Sequence, residues 1–342
     1  MIFVKRMPDA EILREEMTLT SAQEQNRKKT IAEIQNILSG KDNRKILCIG
    51  PCSADNETAV LDYTYRLREL NERVKDCFLI VPRVYTSKPR TTGIGYKGLL
   101  HCPDTESFLD NLYEGIVATR KMHLRIIQET GFFCADEMLY PEATYYISDL
   151  LGYLAVGARS VENQQHRLVA SGMDMPVGMK NPTGGDLEVM LNAIVAAQSP
   201  QKLIYHSWEC QTNGNPYTHA ILRGYQTLDG KSCPNYHYED IVNLYDLYIK
   251  RNLKNVSVII DCNHNNSKKH YDEQTRIAKE IFSACEKHRE INRFVKGLMI
   301  ESYLVDGNQL IGQGIYGKSI TDPCLGWDKT EKLVLELSEI IK

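Results

Sequence analysis

No C-x-x-C pair occurs among the ten cysteines of this chain. Scattered single thiols argue against a disulfide framework and for reduced cysteines in a cytoplasmic protein. Long apolar runs are also missing, and nothing approaches the roughly 18 residues that a membrane span needs. The opening stretch from Met1 to Pro8 lacks the apolar core and small-residue cleavage site of a secretion signal. An excess of either charge sign is missing as well. A net charge of −3 over 342 residues gives no reason to expect nucleic acid or membrane partners. With a cytoplasmic reading, the sequons Asn255-Val-Ser257 and Asn265-Asn-Ser267 are chance matches. What remains is a soluble globular composition, 42% hydrophobic and 25% charged, on a chain long enough for a sizeable core.

The most informative stretch runs from Arg83 to Gly98. It follows the apolar run Phe78–Val81 and carries Arg83, Lys88, Arg90 and Lys97 among threonines, glycines and Pro89. Cations on a stiff, glycine-punctuated loop suit phosphate binding, since Arg supplies a planar fork and Lys a point charge. An ordinary basic surface loop is the plain alternative. Gly93-Ile-Gly95-Tyr-Lys-Gly98 matches the G-x-G-x-x-G fingerprint, but that motif needs a strand directly before it and a helix starting on it. Lys88–Thr92 intervenes on one side and Leu99–Pro103 follows on the other, so a dinucleotide site is rejected.

Residues 1–40 read as a charged helical extension, an oligomer contact or regulatory arm, with helices at Asp9–Glu16 and from a Ser21 cap to Leu38. Residues 41–342 then alternate regularly. Strands are expected at 45–49, 78–81, 132–135, 154–156, 176–179, 202–206, 256–260 and 295–300. Helices are expected at 56–74, 104–129, 143–151, 162–170, 186–198, 239–251, 272–288 and 328–341. Eight strands, each followed by a helix, predict an α/β fold, a (β/α)₈ TIM barrel. An open doubly wound sheet has the same periodicity, and the count of eight favours the barrel.

Barrel chemistry is built where the strands end. Those ends carry Cys52, Arg83, Lys88, Arg90, Arg159, Lys180, Arg223, His264 and Glu301. Singly, Cys52 reads equally as a core thiol, His264 as a structural histidine, and Arg159 and Lys180 as rim salt-bridge partners. All of those readings would have to hold together. Arg83, Lys88, Arg159, Lys180 and Arg223 fit a substrate bearing both phosphate and carboxylate, because buried cations are tolerable only against anions. Cys52, His264, Glu301 and Asp322 make a mixed S/N/O/O set for a divalent transition metal, which suits Mn, Fe, Co, Zn or Cu rather than Mg or Ca.

The ordered motifs Gly50-Pro-Cys-Ser53, Lys88-Pro-Arg-Thr-Thr92, Gly157-Ala-Arg159, His166–Gly172, Pro176–Asn181, Ile221–Gly224, Asp261–Ser267, Glu301–Gln309 and Gly317–Asp322 resemble the signature set of class I 3-deoxy-D-arabino-heptulosonate-7-phosphate (DAHP) synthase. The resemblance covers about residues 45–327. It implies a transferase that condenses phosphoenolpyruvate with erythrose 4-phosphate and releases phosphate, at the entry to aromatic amino-acid biosynthesis. It implies Cys52, His264, Glu301 and Asp322 as metal ligands, with Mn expected and Fe, Co or Zn as alternatives. It implies Arg83, Lys88, Gly157, Ala158, Arg159, Lys180 and Arg223 around phosphoenolpyruvate, and Pro89, Arg90, Thr91 and Asp322 around the aldose phosphate. Lys88, His264 and Cys52 are the catalytic candidates, and a homodimer or homotetramer is expected.

Two departures from the family pattern stand out. Regulated members sense aromatic amino acids through an N-terminal arm and a hairpin after strand six. Here the arm before Pro8 is short, Gln198–Asn215 reads as abbreviated, and Asp174 brings a charge beside Met175. Feedback control is therefore expected to be absent or altered. The acidic residue expected at strand three is either Asp136 or Glu137. Two rival functions are a synthase of the same barrel type using arabinose 5-phosphate, and a non-catalytic regulatory barrel. Lys88-Pro-Arg-Thr-Thr92 favours the four-carbon aldose, and the complete ligand set disfavours the silent barrel.

Overall fold

Short apolar runs buried on both faces suit parallel strands covered by helices. In the computed structural model, which describes residues 1–90, 93–103 and 111–341, they form β1 (Lys45–Gly50), β2 (Phe78–Pro82), β3 (Ala135–Glu137), β4 (Tyr153–Val156), β5 (Val177–Lys180), β6 (His219–Leu222), β7 (Val258–Asp261) and β8 (Val295–Glu301). All neighbours are parallel, in the order β2-β1-β8-β7-β6-β5-β4-β3. A bridge from Arg83 to Ala135 brings β3 back beside β2 and closes the ring.

Side chains alternate along each strand. Ile46 and Cys48 of β1 therefore face inward with Val81, Tyr153, Ile221, Ile259 and Met299, while Leu47 and Ile49 face the helices. Two helices precede the barrel, α1 (Ala10–Glu16) and α2 (Ser21–Leu38). Thr20, not Ser21, caps α2, through a capping box with Gln23. Ile34, Ile37 and Leu38 of α2 join the inner cluster and plug the N-terminal end of the barrel. The surrounding helices are α3 (Glu57–Val74), α4 (Leu112–Thr130), α5 (Pro141–Tyr145), α6 (Gln164–Ser171), α7 (Leu187–Gln198), α8 (Tyr238–Lys250), α9 (Glu273–Lys287), α10 (Arg289–Phe294) and α11 (Trp327–Ile340). The expected start of α4 near Asp104 lies outside the described residues; Asn111 caps the observed helix.

Two strands differ from expectation. The run Phe132–Ala135 is not β3. Phe133 belongs instead to a satellite cluster with Leu19, Leu124, Ile127 and Leu150, and the strand starts only at Ala135. Lys202–Tyr205 is not the sixth barrel strand either. It pairs antiparallel with Trp208–Gln211, across His206 and Ser207, whose φ values of 48° and 65° give the doubly left-handed turn that matches hairpin twist. The segment read as abbreviated is thus a complete hairpin, and it precedes barrel strand six. β6 itself was masked in the sequence by its histidine. The helix expected at 143–151 divides into α5 and a single 3₁₀ turn at Ser148–Leu150, and α10 follows a break at His288.

His219 in β6 is fully buried, with Nε2 facing the Tyr153 hydroxyl at 2.9 Å and Nδ1 donating to the Tyr217 carbonyl at 2.9 Å. Burial lowers its pKa to about 4, so the ring is neutral in the folded protein. An unfolded histidine titrates near 6.5, so between pH 6.5 and 4 the unfolded chain binds a proton that the folded chain refuses. Stability is then full above pH 6.5 and falls by about 3 kcal/mol on acidification to pH 4. Urea titrations of wild type and His219→Gln across this window check it; equal pH slopes would contradict the assignment.

Candidate active site

The C-terminal ends of the strands deliver one cluster. Glu301 is the last residue of β8, Lys180 the last of β5, and Arg83 follows β2 directly. Cys52 lies just past β1, Arg223 past β6 and His264 past β7. His264 has a φ of 52°, a left-handed turn that brings its ring back over the strand ends.

Sγ of Cys52 and carboxylate oxygens of Glu301 and Asp322 all lie within 4.8 Å of one another. Cys52 Sγ is 3.6 Å from Asp322 Oδ2. His264 falls outside that mutual group, although its Nε2 is 3.8 Å from Glu301 Oε1. Its Nδ1 is drawn to Asp261 Oδ2, 2.9 Å away, which leaves Nε2 facing Glu301. Glu301 is fully buried. Asn263 donates to its Oε2 at 2.6 Å, whereas Oε1 has no hydrogen bond and sits 2.9 Å from Arg83 Nη2. Burial alone would raise the Glu301 pKa, but His264, Arg83 and Lys88 outweigh it and hold the carboxyl below its ordinary value. Asp322 is likewise held down, against burial, by Lys88 and His264. Burial pushes the Cys52 thiol up to about 11, with Glu301 adding to the rise. Two ionised carboxylates and a thiol within ligand reach of each other fit a divalent ion, whose charge would replace the thiol proton.

The cations surround this cluster. Lys88 Nζ donates to Cys52 Sγ at 2.8 Å and to the Cys52 carbonyl at 2.9 Å, and the thiol and Glu301 keep its pKa raised despite burial. Gly98 allows the loop to double back here: φ is +96°, and a Cβ would come within 2.4 Å of the Thr86 carbonyl. Arg83 is 1% exposed. It donates to the carbonyls of Pro51 and Cys52, stacks on Tyr85 at 3.7 Å, and leaves its buried Nε without an acceptor. Lys180 pairs with Asp261 at 3.0 Å, both buried. Arg223 is buried and its Nη1 has no acceptor; burial lowers its pKa, and the nearby charge of Arg159 adds to the drop.

The remaining sequence candidates divide. Gly157 is buried beside Glu137, where a Cβ would meet Oε1 at 2.3 Å; Ala158 is half-buried and Arg159 exposed. Pro89 and Arg90 are half-buried, and Arg90 Nε donates to the Tyr96 carbonyl at 2.7 Å. Thr91 lies outside the described residues. Lys269 Nζ is 3.7 Å from Asp322 Oδ1.

Sequence reasoning missed Asp261, which orients both Lys180 and His264; a carboxylate three residues before a candidate histidine was the available signal. Asn263 and Gln274 were missed too. Gln274 clamps the Glu301 backbone by donating to its carbonyl at 2.9 Å and accepting from its N–H at 2.8 Å. The two acids at strand three differ in their bonding. Asp136 is committed to the Thr86 N–H and hydroxyl at 2.9 and 2.6 Å, and Glu137 lies beside Gly157.

Asp174, expected to disturb a regulatory pocket, makes a two-pronged pair with Arg27 of α2 at 2.7 and 2.8 Å. The pair borders a cavity of about 590 Å³ that Leu203 and Tyr205 of the hairpin also line.

Residues 20–335 match the family described as the DAHP synthetase I family. A phospho-2-dehydro-3-deoxyheptonate aldolase of Haemophilus influenzae is 37% identical over 325 residues, covering 92% of this chain and 86% of that protein. The Phe-sensitive phospho-2-dehydro-3-deoxyheptonate aldolase of Escherichia coli K12 is 38% identical, covering 90% and 87%. The solved structure of the Francisella tularensis SCHU S4 phospho-2-dehydro-3-deoxyheptonate aldolase superposes with a TM-score of 0.92 at 33% identity, covering 100% of this chain and 98% of that one.

Proposed function

The chain belongs to the DAHP synthetase I family and is a DAHP synthase, a transferase of aromatic amino-acid biosynthesis, and from that premise we propose how its residues divide the work. Phosphoenolpyruvate and erythrose 4-phosphate are the substrates. Arg83, Lys88, Lys180 and Arg223, with Gly157, Ala158 and Arg159 at the rim, hold phosphoenolpyruvate. Pro89, Arg90, Thr91 and Asp322 hold the aldose phosphate. Cys52, His264, Glu301 and Asp322 bind the metal, Mn by preference and Fe, Co or Zn as alternatives. The observation that carries this reading is the buried guanidinium donors of Arg83 and Arg223 that lack acceptors, set around a thiol and two carboxylates within ligand reach. An anionic substrate satisfies those donors.

The metal, when bound, supplies Lewis-acid polarisation of an aldehyde oxygen. The other work falls to the chain. The cations fix phosphoenolpyruvate with C3 at attack distance from the aldehyde carbon. As the C–C bond forms, the aldehyde oxygen gains a negative charge that Lys88 neutralises by proton donation; its raised pKa and position on Cys52 Sγ support that role. Positive charge left at C2 takes up water, and the hemiketal phosphate loses phosphate by C–O cleavage. Arg223 and Lys180 stabilise the anionic groups throughout.

Phosphate release from the two substrates, before and after chelation and metal add-back, tests the scheme. Erythrose 4-phosphate is expected to turn over at least about 100-fold faster than arabinose 5-phosphate, the scale on which a polar site separates substrates. Label in the bridging oxygen of phosphoenolpyruvate should leave with phosphate, and label retained in the sugar product would refute C–O cleavage.

Action in the cytoplasm belongs to the same proposal, and it fits ten cysteines of which none is in a disulfide. The exposed apolar strip Met1–Val4 supports assembly as a homodimer or homotetramer.

A further inference from the structure

We propose a second anion site, at the N-terminal end of the barrel, that takes a phosphate group. Lys45 opens β1 and Lys296 is the second residue of β8, next to it in the sheet. Their strand neighbours Leu47 and Leu298 face the helix layer, so both lysines point outward, into the space under α10. Lys296 lies about 16 Å along β8 from Glu301, at the opposite end from the catalytic cluster. A cavity of about 970 Å³ opens there, bordered by Arg44, Lys45, Arg289, Arg293 and Lys296.

The acids bordering the same cavity are Asp42, Asp76 and Glu286, and Asp42 is already committed to Arg44 at 2.7 Å. Lys45 Nζ is satisfied by the carbonyls of Asn292 and Val295, at 2.5 and 2.7 Å. Those carbonyls end α10 and account for one ammonium only. Lys296 is more than nine-tenths buried, yet among the described residues its ammonium has no hydrogen bond and no ion pair. Burial lowers the pKa of both lysines, and the charge of Lys296 further depresses Lys45. The Lys45 ammonium is buried and that of Lys296 reaches the cavity, so two like charges lie side by side and an anion in the cavity would relieve their repulsion. Arg289 and Arg293, one turn apart on α10 and exposed, are likewise unpaired and border the same space. Two planar forks above a buried point charge suit a phosphate better than a lone carboxylate. The volume exceeds that of one phosphate ion, so a phosphomonoester fits as well as free phosphate.

The catalytic centre also meets phosphate, at two places, so the test saturates it with phosphoenolpyruvate, omits the aldose to prevent turnover, and identifies binding at the open aldose-phosphate subsite as the component that Arg90→Ala weakens. Inorganic phosphate and glycerol 2-phosphate are then titrated calorimetrically into wild type, Lys296→Met and the double variant Arg289→Gln/Arg293→Gln. Wild type should bind one equivalent besides that component, with the preferred probe distinguishing free phosphate from a phosphomonoester. Each variant should weaken binding at least about 10-fold, the size of one charge-assisted hydrogen bond, while kcat stays within about twofold of wild type. The double variant changes only exposed residues and remains informative if Lys296→Met does not fold. Absence of that additional equivalent in wild type, or equal affinity for it in wild type and variants, would overturn the proposal. Neither outcome touches the catalytic assignment, which rests on turnover at the other end of the barrel.

Discussion

Cys52→Ala lowers kcat by about 10³-fold or more and removes stoichiometric metal, while the protein stays folded. The thiol is buried, and its Sγ is the only soft donor beside Glu301 and Asp322 in the cluster. Polarisation of a carbonyl by a bound metal contributes several kcal/mol. Loss of about 4 kcal/mol of that stabilisation is about three decades in rate. The fold survives because Arg83 and Lys88 hold the Cys52 carbonyl, which alanine keeps. Elemental analysis, kcat and far-UV circular dichroism are the readouts. A variant that still binds one metal ion and keeps more than about a tenth of the activity, against the several kcal/mol expected from the metal, would remove Cys52 from the ligand set.

Arg223→Gln separates function from stability. Its guanidinium is 8% exposed, Nη1 has no acceptor, and burial lowers its pKa. In the free enzyme this charge is desolvated without a full set of partners, which destabilises the fold. A shorter, neutral amide relieves that and should leave stability unchanged or raise it by about 1 kcal/mol. On the proposed role, the same change removes the charge-assisted hydrogen bonding of Arg223 to phosphoenolpyruvate, at about 1.5–3 kcal/mol per bond. The expected result is a fall in kcat/KM of about 100-fold or more, chiefly through KM for phosphoenolpyruvate, with a midpoint of urea unfolding that does not fall. A less stable variant with wild-type KM would show Arg223 to be a structural cation instead.

The difference between expectation and structure follows how local each signal was. β1, β7 and β8 are continuous apolar runs and were legible as such. β3 and β6 were not. Ala135–Glu137 is acidic, and His219–Leu222 opens with a histidine, so each is a strand only because of its neighbours, β4 and the Arg83 bridge for the first and a ladder on both sides for the second. Phe132–Cys134 and Lys202–Tyr205 have the better strand composition, yet one starts a satellite cluster and the other a hairpin.

The sequence by itself determined the alternation of strand and helix, the polar residues at the strand ends and the mixture of thiol, imidazole and carboxylate, because each is carried by neighbouring residues or by residue chemistry. Only the tertiary structure decided how those residues pair. Asp261 pairs with His264, which lies outside the tightest donor group, Asp136 is spent on Thr86, and Lys45 and Lys296 come to border one cavity. Such assignments depend on distances between residues far apart in the chain, and a distance across a barrel is set by closure of the ring, not by any stretch of sequence.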